Sequence, residues 1–351
     1  MSVFLSRVRK SAVVFALLGA VLVIGAVIVR FVVVPSSMKL PDDLNQVQKF
    51  EGTTQALNAQ ALMTGDLANL LTPQLPITAD ASLVVDAVDG DTAIVTRSAA
   101  IKMPDASVQN NVHTYAVSRV DYSPVPLDDA QRTALVPADK LSGFEAHSGL
   151  VFSWPMNPAK DGTTLYDPVT RVAQPVTFAD EGELNGRPVF NYRVDASGPI
   201  ADQAIMAQFT AFPKQLPKTL IAGLLQAGVV PEQSRAPLAA ALPTMPDMLD
   251  LGFAGTNQVR TAVDTEFGAP LRFDQTQGIY ATVKASGQDI PTVPLSITAL
   301  HTTDAEVATT AKSMSDNATL LSIMNLWLPL GLLITGLGLI GYAATRPRPE
   351  A

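Results

Sequence analysis

The chain of 351 residues carries 24 Lys and Arg against 32 Asp and Glu, with 26 Pro, three His and no Cys, and only 16% of it is charged. The absence of cysteine excludes disulfides, thiolate nucleophiles and cysteine-held metals, and three histidines leave little room for a His-rich metal site. A mean hydropathy of +0.23 is high for a soluble chain, and the excess sits at the two ends.

Residues 11–29 carry no charge, and after Arg30 the apolar run resumes to residue 34. This predicts a transmembrane helix over 11–34, kept as an anchor, because the apolar region of a signal peptide is shorter and ends at a small-residue cleavage site. Ala12, Ala16 and Ala20 share one face of it, either as helix-packing positions or as lipid-facing alanines. A second uncharged stretch, 322–344, has Trp327 and Tyr342 near its ends, where amphipathic rings favour the headgroup level. Arg7, Arg9 and Lys10 before the first span, with Arg346 and Arg348 after the second, place residues 1–10 and 345–351 in the cytoplasm. Residues 35–321 then form the extracytoplasmic domain of a two-span plasma-membrane protein. That domain holds 31 of the 32 acids and 18 of the 24 bases, so nucleic acid is excluded as a partner.

The domain reads as mainly β. Strands are predicted over 47–58, 83–88, 92–101, 112–122, 150–154, 171–178, 188–194, 258–267, 278–285 and 295–302, with a tight hairpin at Asp89-Gly90. They imply a large antiparallel sheet or a barrel-like form held between the two terminal helices. Residues 201–252 break the texture: they are rich in Ala, Leu and Met, cut by prolines, and read as short apolar helices at 218–227 and 236–242. Two readings stand for this insert. It is a cap over an open sheet end, or an adaptable mouth for an apolar ligand, with Met206, Phe209, Phe212, Leu220, Leu224, Leu225, Met245 and Met248 as the candidate ligand-binding residues. Beyond it, Thr303 and Glu306 form a capping box for a juxtamembrane helix, 303–321. Its apolar stripe is Val307, Ala308, Ala311 and Met314, and no proline stops it before Pro329.

No motif for hydrolase, metalloprotease or nucleotide chemistry occurs. Gly336, Gly338 and Gly341 match a dinucleotide fingerprint in letters only, since no strand precedes them and they fall inside a span. Asp86, Asp89 and Asp91 have a turn explanation, and Asp180, Glu181 and Glu183 read as a solvated loop. His113, His147 and His301 have no common spacing, and His113 and His301 read as ordinary strand positions. No catalytic residue, metal site or cofactor is therefore expected.

Gly149, Leu150, Phe152, Trp154 and Pro155, then Tyr166 and Asp167, then Gly182, Glu183, Gly186 and Tyr192 form a pattern across residues 149–194. That pattern resembles the core of the actinobacterial PorA family of envelope membrane proteins. Ser118-Arg119-Val120-Asp121 resembles the family's upstream strand. Phe273 to Gly278 lies where the family has a proline-containing turn, without that proline. The resemblance implies a span at each end, an outer domain in the envelope space, and a part in the maturation of lipoglycans such as lipomannan and lipoarabinomannan. It implies no catalytic residues. Trp154, Tyr166, Asp167 and Arg119 are read first as core. The resulting expectation is a non-enzymatic protein whose outer domain binds, presents or transfers a lipid or glycolipid. The alternatives are a scaffold for envelope glycosyltransferases, a porin, or a carboxylate-dependent enzyme.

Overall fold

A computed structural model of the chain describes residues 10–210, 212–285 and 287–345, and the chain divides into two compact units, residues 1–41 with 312–351 and residues 42–311. The expectations placed on Arg7, Arg9, Arg346 and Arg348 lie outside the described residues.

The first unit begins with α1 (Lys10–Ile28), which passes through a π-helical turn (Val29–Val33) into α2 (Val34–Ser37). The second unit opens on β1 (Asn45–Ala56) and α3 (Ala59–Thr64), whose first turn is capped by the Asn58 side chain accepting from Ala61 N at 3.2 Å. A meander follows: β2 (Leu75–Asp89), β3 (Thr92–Lys102) and β4 (Val108–Ser118). The β2–β3 loop is Gly90-Asp91, one residue on from the expected pair. Gly90 takes φ +57°, as a two-residue hairpin turn demands. Next come α4 (Asp129–Leu135), closed by a capping box of Asp128 and Gln131, and the small hairpin β5 (Thr164–Asp167) and β6 (Val172–Pro175). The unit continues with β7 (Thr177–Leu184), β8 (Arg187–Pro199), α5 (Gln203–Gln208), β9 (Gln215–Pro217), α6 (Lys218–Gln226) and α7 (Glu232–Ala241). It is completed by β10 (Met248–Asp264), β11 (Pro270–Ala285), β12 (Gln288–Thr302) and α8 (Asp304–Ser322), which crosses from this unit into the first.

These strands form a ten-stranded sheet in the order β4-β3-β2-β1-β12-β11-β10-β8-β7, with β9 added to β10, and the pairings are antiparallel. The first strand of the unit therefore lies beside the last. At that seam a Cβ on Gly52 would stand 1.9 Å from the Ala299 carbonyl oxygen, so only glycine lets the two backbones meet. Thr54 and Thr298 join hydroxyls across it at 2.9 Å.

Four sequence expectations are corrected here. Residues 150–154 are not a strand: Leu150 exchanges backbone bonds with Thr164 and Tyr166, Trp154 N donates to Gly268 O, and the segment lies as buried coil. The predicted strand 171–178 is split, because buried Val176 leaves one hairpin and β7 begins another. Asp180, Glu181 and Glu183 lie on β7 at the sheet edge instead of in a loop. The turn comes after them, at Asn185-Gly186, with φ of +50° and +79°. The insert ends at residue 247, since β10 already starts at Met248.

The insert and the face of β11 and β12 share one apolar layer. Leu216, Ile221, Leu224, Val230, Leu238 and Met245 are buried in one cluster with Ile279, Ala281, Val283, Val293 and Leu295. Each such aliphatic burial contributes about 1.5–3 kcal/mol. A second layer joins Leu150, Trp154, Val176, Tyr192, Val194, Val259 and Val263. A third sets Val136 and the flanks of α4 over Ile94 and Ala116.

Thr303 caps α8, accepting from Glu306 N at 3.3 Å, and Val307 and Ala311 of its stripe are buried. The helix continues through a π-helical turn (Ile323–Trp327) into α9 (Leu328–Thr345). The helices Val13–Ser37 and Asp304–Thr345 are each long and apolar enough to cross a membrane. Within the first unit α1 and α9 pack antiparallel, with Gly19 against Gly336: a Cβ on either would lie 2.4 or 2.7 Å from the other's carbonyl oxygen. Phe15 meets Tyr342 edge to face at 5.5 Å. Phe15, Gly19 and Ala26 thus lie on the packed side of α1, and Ala16 and Ala20 are half-buried.

Candidate functional site

Strand β4 is buried on both faces between His113 and Val117, which forces its polar side chains to find partners inside the fold. The partners come from residues distant in the chain. His113 Nδ1 and Glu145 Oε1 are 2.9 Å apart, Tyr166 donates its hydroxyl to Glu145 Oε2 at 3.2 Å, and Arg171 Nη2 donates to Glu145 Oε1 at 3.1 Å. Because an ionised carboxylate only accepts, His113 carries a proton on Nδ1. Its Nε2 is buried without a hydrogen bond and faces Asp202 Oδ2 at 3.8 Å. Asp202 itself caps α5, accepting from Ala204 N and Ile205 N. Alongside, Asp167 accepts from Thr170 and from Asn257 Nδ2 of β10, and Gln275 of β11 donates on to Asn257. This polar cluster ties β4, at one end of the sheet order, to the separate β5–β6 hairpin and to the neighbouring strands β10 and β11.

The electrostatics follow from burial and partners. Burial alone would push the Glu145 carboxyl up, but the bond and charge of His113, the charge of Arg171 and the Tyr166 hydroxyl outweigh it and hold the group below the usual carboxylate range. Burial, with the Glu145 charge behind it, drives the Tyr115 and Tyr166 phenols far above their ordinary value. Burial also lowers His147, so its ring is neutral at physiological pH. Yet both its nitrogens lie near carbonyl oxygens, Nδ1 at 3.1 Å from Gly149 O and Nε2 at 3.2 Å from Ala116 O. A neutral ring donates to only one of them.

Beside the cluster opens a concavity of about 410 Å³ lined by Pro124, Val125, Pro126, Leu127, Phe144 and Ala146, with Arg132, Glu145 and His147 at its polar side. A second, of about 320 Å³, lies on the sheet near Asn191, Arg193, Arg260, Arg272 and Asp274. Two of its arginines are engaged, Arg193 with Asp195 and Arg272 with Asp304.

The candidate residues of the insert divide. Leu224 and Met245 are buried in the apolar layer, and Phe209, Phe212, Leu220 and Leu225 pack against it. Phe209 also stacks on Phe253 of β10 at 5.6 Å. Met206 is half-buried outside that layer, and Met248 is 47% exposed. None of the eight lines either concavity described above. Trp154, Tyr166 and Asp167 are buried, as read; Trp154 stacks on Tyr192 at 5.3 Å, and Arg119 is half-buried. Of the acids on β7, Asp180 is engaged with Asn191 and Glu181 with Lys160. Among the described residues no group of three or more His, Asp or Glu is placed to hold a metal. Sequence reading missed Glu145, Arg171 and Asp202 altogether, and it took His113 for an ordinary strand position.

Comparison with known proteins gives three findings. The family model described as Porin PorA matches residues 11–345. No curated protein matches the chain. Among solved structures, the chain is similar at a TM-score of 0.13 to an oleoyl thioesterase (putative) from Lactobacillus plantarum, with 8% identity over 77% of this chain and 79% of that one. At the same TM-score it is similar to the peroxisomal multifunctional enzyme type 2 from Drosophila melanogaster, with 10% identity over 73% of this chain and 37% of that one.

Proposed function

The chain belongs to the Porin PorA family, and on that premise we propose a membrane-anchored, non-enzymatic protein whose outer domain binds a lipid or glycolipid and presents or transfers it. The observation that carries the reading is the concavity of about 410 Å³ beside the buried cluster. Its volume falls in the usual range of ligand sites, roughly 300–1,000 Å³. An apolar wall of Val125, Pro126, Leu127 and Phe144 faces Arg132, His147 and Glu145, which suits a molecule with an apolar part and a hydroxylated or anionic part.

The groups around it favour holding over transforming. Glu145 accepts from three donors, the two tyrosines are kept protonated by burial, and His147 spends its one ring proton on a backbone carbonyl. None of them is a free base poised near neutrality, which general catalysis requires. A pore walled by this sheet is disfavoured, because the strand order runs open from β4 to β7, and a sheet that crosses a membrane must close to leave no unpaired edge in lipid. In the finer reading the domain faces the extracytoplasmic side of an actinobacterial plasma membrane with both termini inside. It takes part there in lipoglycan maturation beside envelope glycosyltransferases. Met206 and Met248 lie outside the packed layer of the insert and line neither concavity, so as ligand contacts they would belong to a separate apolar surface.

The test is photolabelling of the full chain in nanodiscs with a diazirine-bearing mannosylated phospholipid, followed by peptide mapping. Labels within residues 124–147, lost in Leu127→Arg, are expected. Labels confined to the two terminal helices, unchanged by Leu127→Arg, would sink the proposal.

A further inference from the structure

Arg30 is the one charge within an otherwise apolar stretch of 24 residues, 11–34. It lies in the π-helical turn Val29–Val33, and its guanidinium donates through Nη1 to Asn325 Oδ1, in the π-helical turn Ile323–Trp327 of the other helix. The two turns pack against each other, so both spans depart from regular α-helix at one level and the polar contact is made there. Such turns each insert a residue at a local cost and recur at functional sites.

Among the described residues the charge itself has no acidic partner. Among the described residues of this unit the only carboxylate is Asp316, which is bonded to Lys312 at 2.7 Å. Asn325 is neutral and occupies Nη1, which leaves the Nε and Nη2 edge of the guanidinium open. That edge is the planar fork that pairs bidentately with phosphate. The depth fits too. At 1.5 Å per residue, Arg30 stands about 29 Å along the helix from Ser11, at the far boundary of a hydrocarbon core roughly 30 Å thick. Phe31 and Trp327, 71% and 62% exposed, mark the same level with aromatic rings.

We infer that Arg30, oriented by Asn325 at the paired π-helical turns, is a binding site for the phosphate of an anionic membrane lipid held against the two-helix seam. This site lies in the spans and is independent of the cavity proposed above.

The experiment reconstitutes the full chain in phosphatidylglycerol vesicles and counts lipids retained by native mass spectrometry after gentle detergent extraction. The wild type retains one phosphatidylglycerol per chain, and Arg30→Leu retains at least tenfold less. Arg30→Lys keeps the charge but lacks the fork, and retains an intermediate amount. Cross-linking of cysteines placed at positions 15 and 342 confirms in each variant that the helices remain paired. Equal retention by Arg30→Leu or by Arg30→Lys overturns the proposal. So does displacement of the lipid by inorganic phosphate alone, which would mark a site for the free anion. Leu127→Arg should leave this lipid in place, so failure here and failure of the cavity reading are separable.

Discussion

Replacing Glu145 by Gln tests whether the buried cluster is held by charge. The side chain is 6% exposed and His113 8%, whereas Arg171 is 40% exposed. Stranding one partner of a fully buried pair costs about 3–5 kcal/mol, but a half-solvated arginine contributes at most about 1 kcal/mol. Gln keeps one acceptor for one of the three donors, so a net loss of about 2–3 kcal/mol is expected. In urea this lowers the midpoint by about 1 M. The assay is equilibrium unfolding of the full chain followed by Trp154 fluorescence in a Trp327→Phe background. The pH dependence follows from the direction of the shift. A carboxyl whose pKa is lowered by folding stabilises above its ordinary value of 4.5, and this stabilisation is lost as pH falls through the lowered pKa. The gap between wild type and variant is therefore full at neutral pH and closes as pH falls below 4.5 and through the lowered pKa. His147, lowered from 6.5, destabilises both proteins as pH falls below that value and largely cancels in the difference. Equal midpoints at neutral pH, or a gap that persists unchanged in acid, would refute the reasoning.

Other outcomes are equally specific. Asp264→Asn breaks the buried fork of Arg187, whose Nε and Nη2 donate to Asp264 at 2.7 and 3.0 Å, and should cost about 3–5 kcal/mol in thermal or urea unfolding. Gly336→Leu puts a side chain where even a Cβ lies 2.7 Å from Gly19 O, and should abolish the 15–342 cysteine cross-link while leaving the fluorescence unfolding curve in place. Gly268→Ala, at φ +69° with a Cβ 2.2 Å from the carbonyls of Trp154 and Pro155, should lower the yield of folded protein far more than Gly186→Ala. Gly186→Ala, at φ +79° in an open turn, should cost only about 1–2 kcal/mol.

The parts of the fold that were legible in the sequence are those governed by local pattern. Period-two burial in β1 and β8, the glycine of the β2–β3 turn, the Thr303 cap and the apolar spans all leave short-range marks. Asn185-Gly186 carried an equally strong hairpin signal, but the acids before it were read as a solvated loop. The apolar run at 150–154 misled in the other direction: its burial comes from Tyr192, Val259 and Gly268, residues about 40 to 115 positions away. The candidate site was almost wholly illegible for the same reason. Glu145 acquires meaning only when β4 and β5 set His113 and Tyr166 around it, and no spacing rule links 113, 145, 166 and 202. Composition did mark the insert as apolar, yet it could not tell a layer that seals a sheet from one that admits a guest.

The strand order has a kinetic consequence. The meander β1 to β4 and the block β7 to β12 can each assemble from neighbours, but β1 must wait for β12, made some 240 residues later, before the sheet is whole. Closing a loop of that length costs about 5 kcal/mol of chain entropy, repaid only once the seam forms. Until then two sheet edges lie open, each able to pair with another copy. Gly52, whose missing side chain lets β1 and β12 join, therefore governs how long those two edges stay open as much as it shapes the finished sheet.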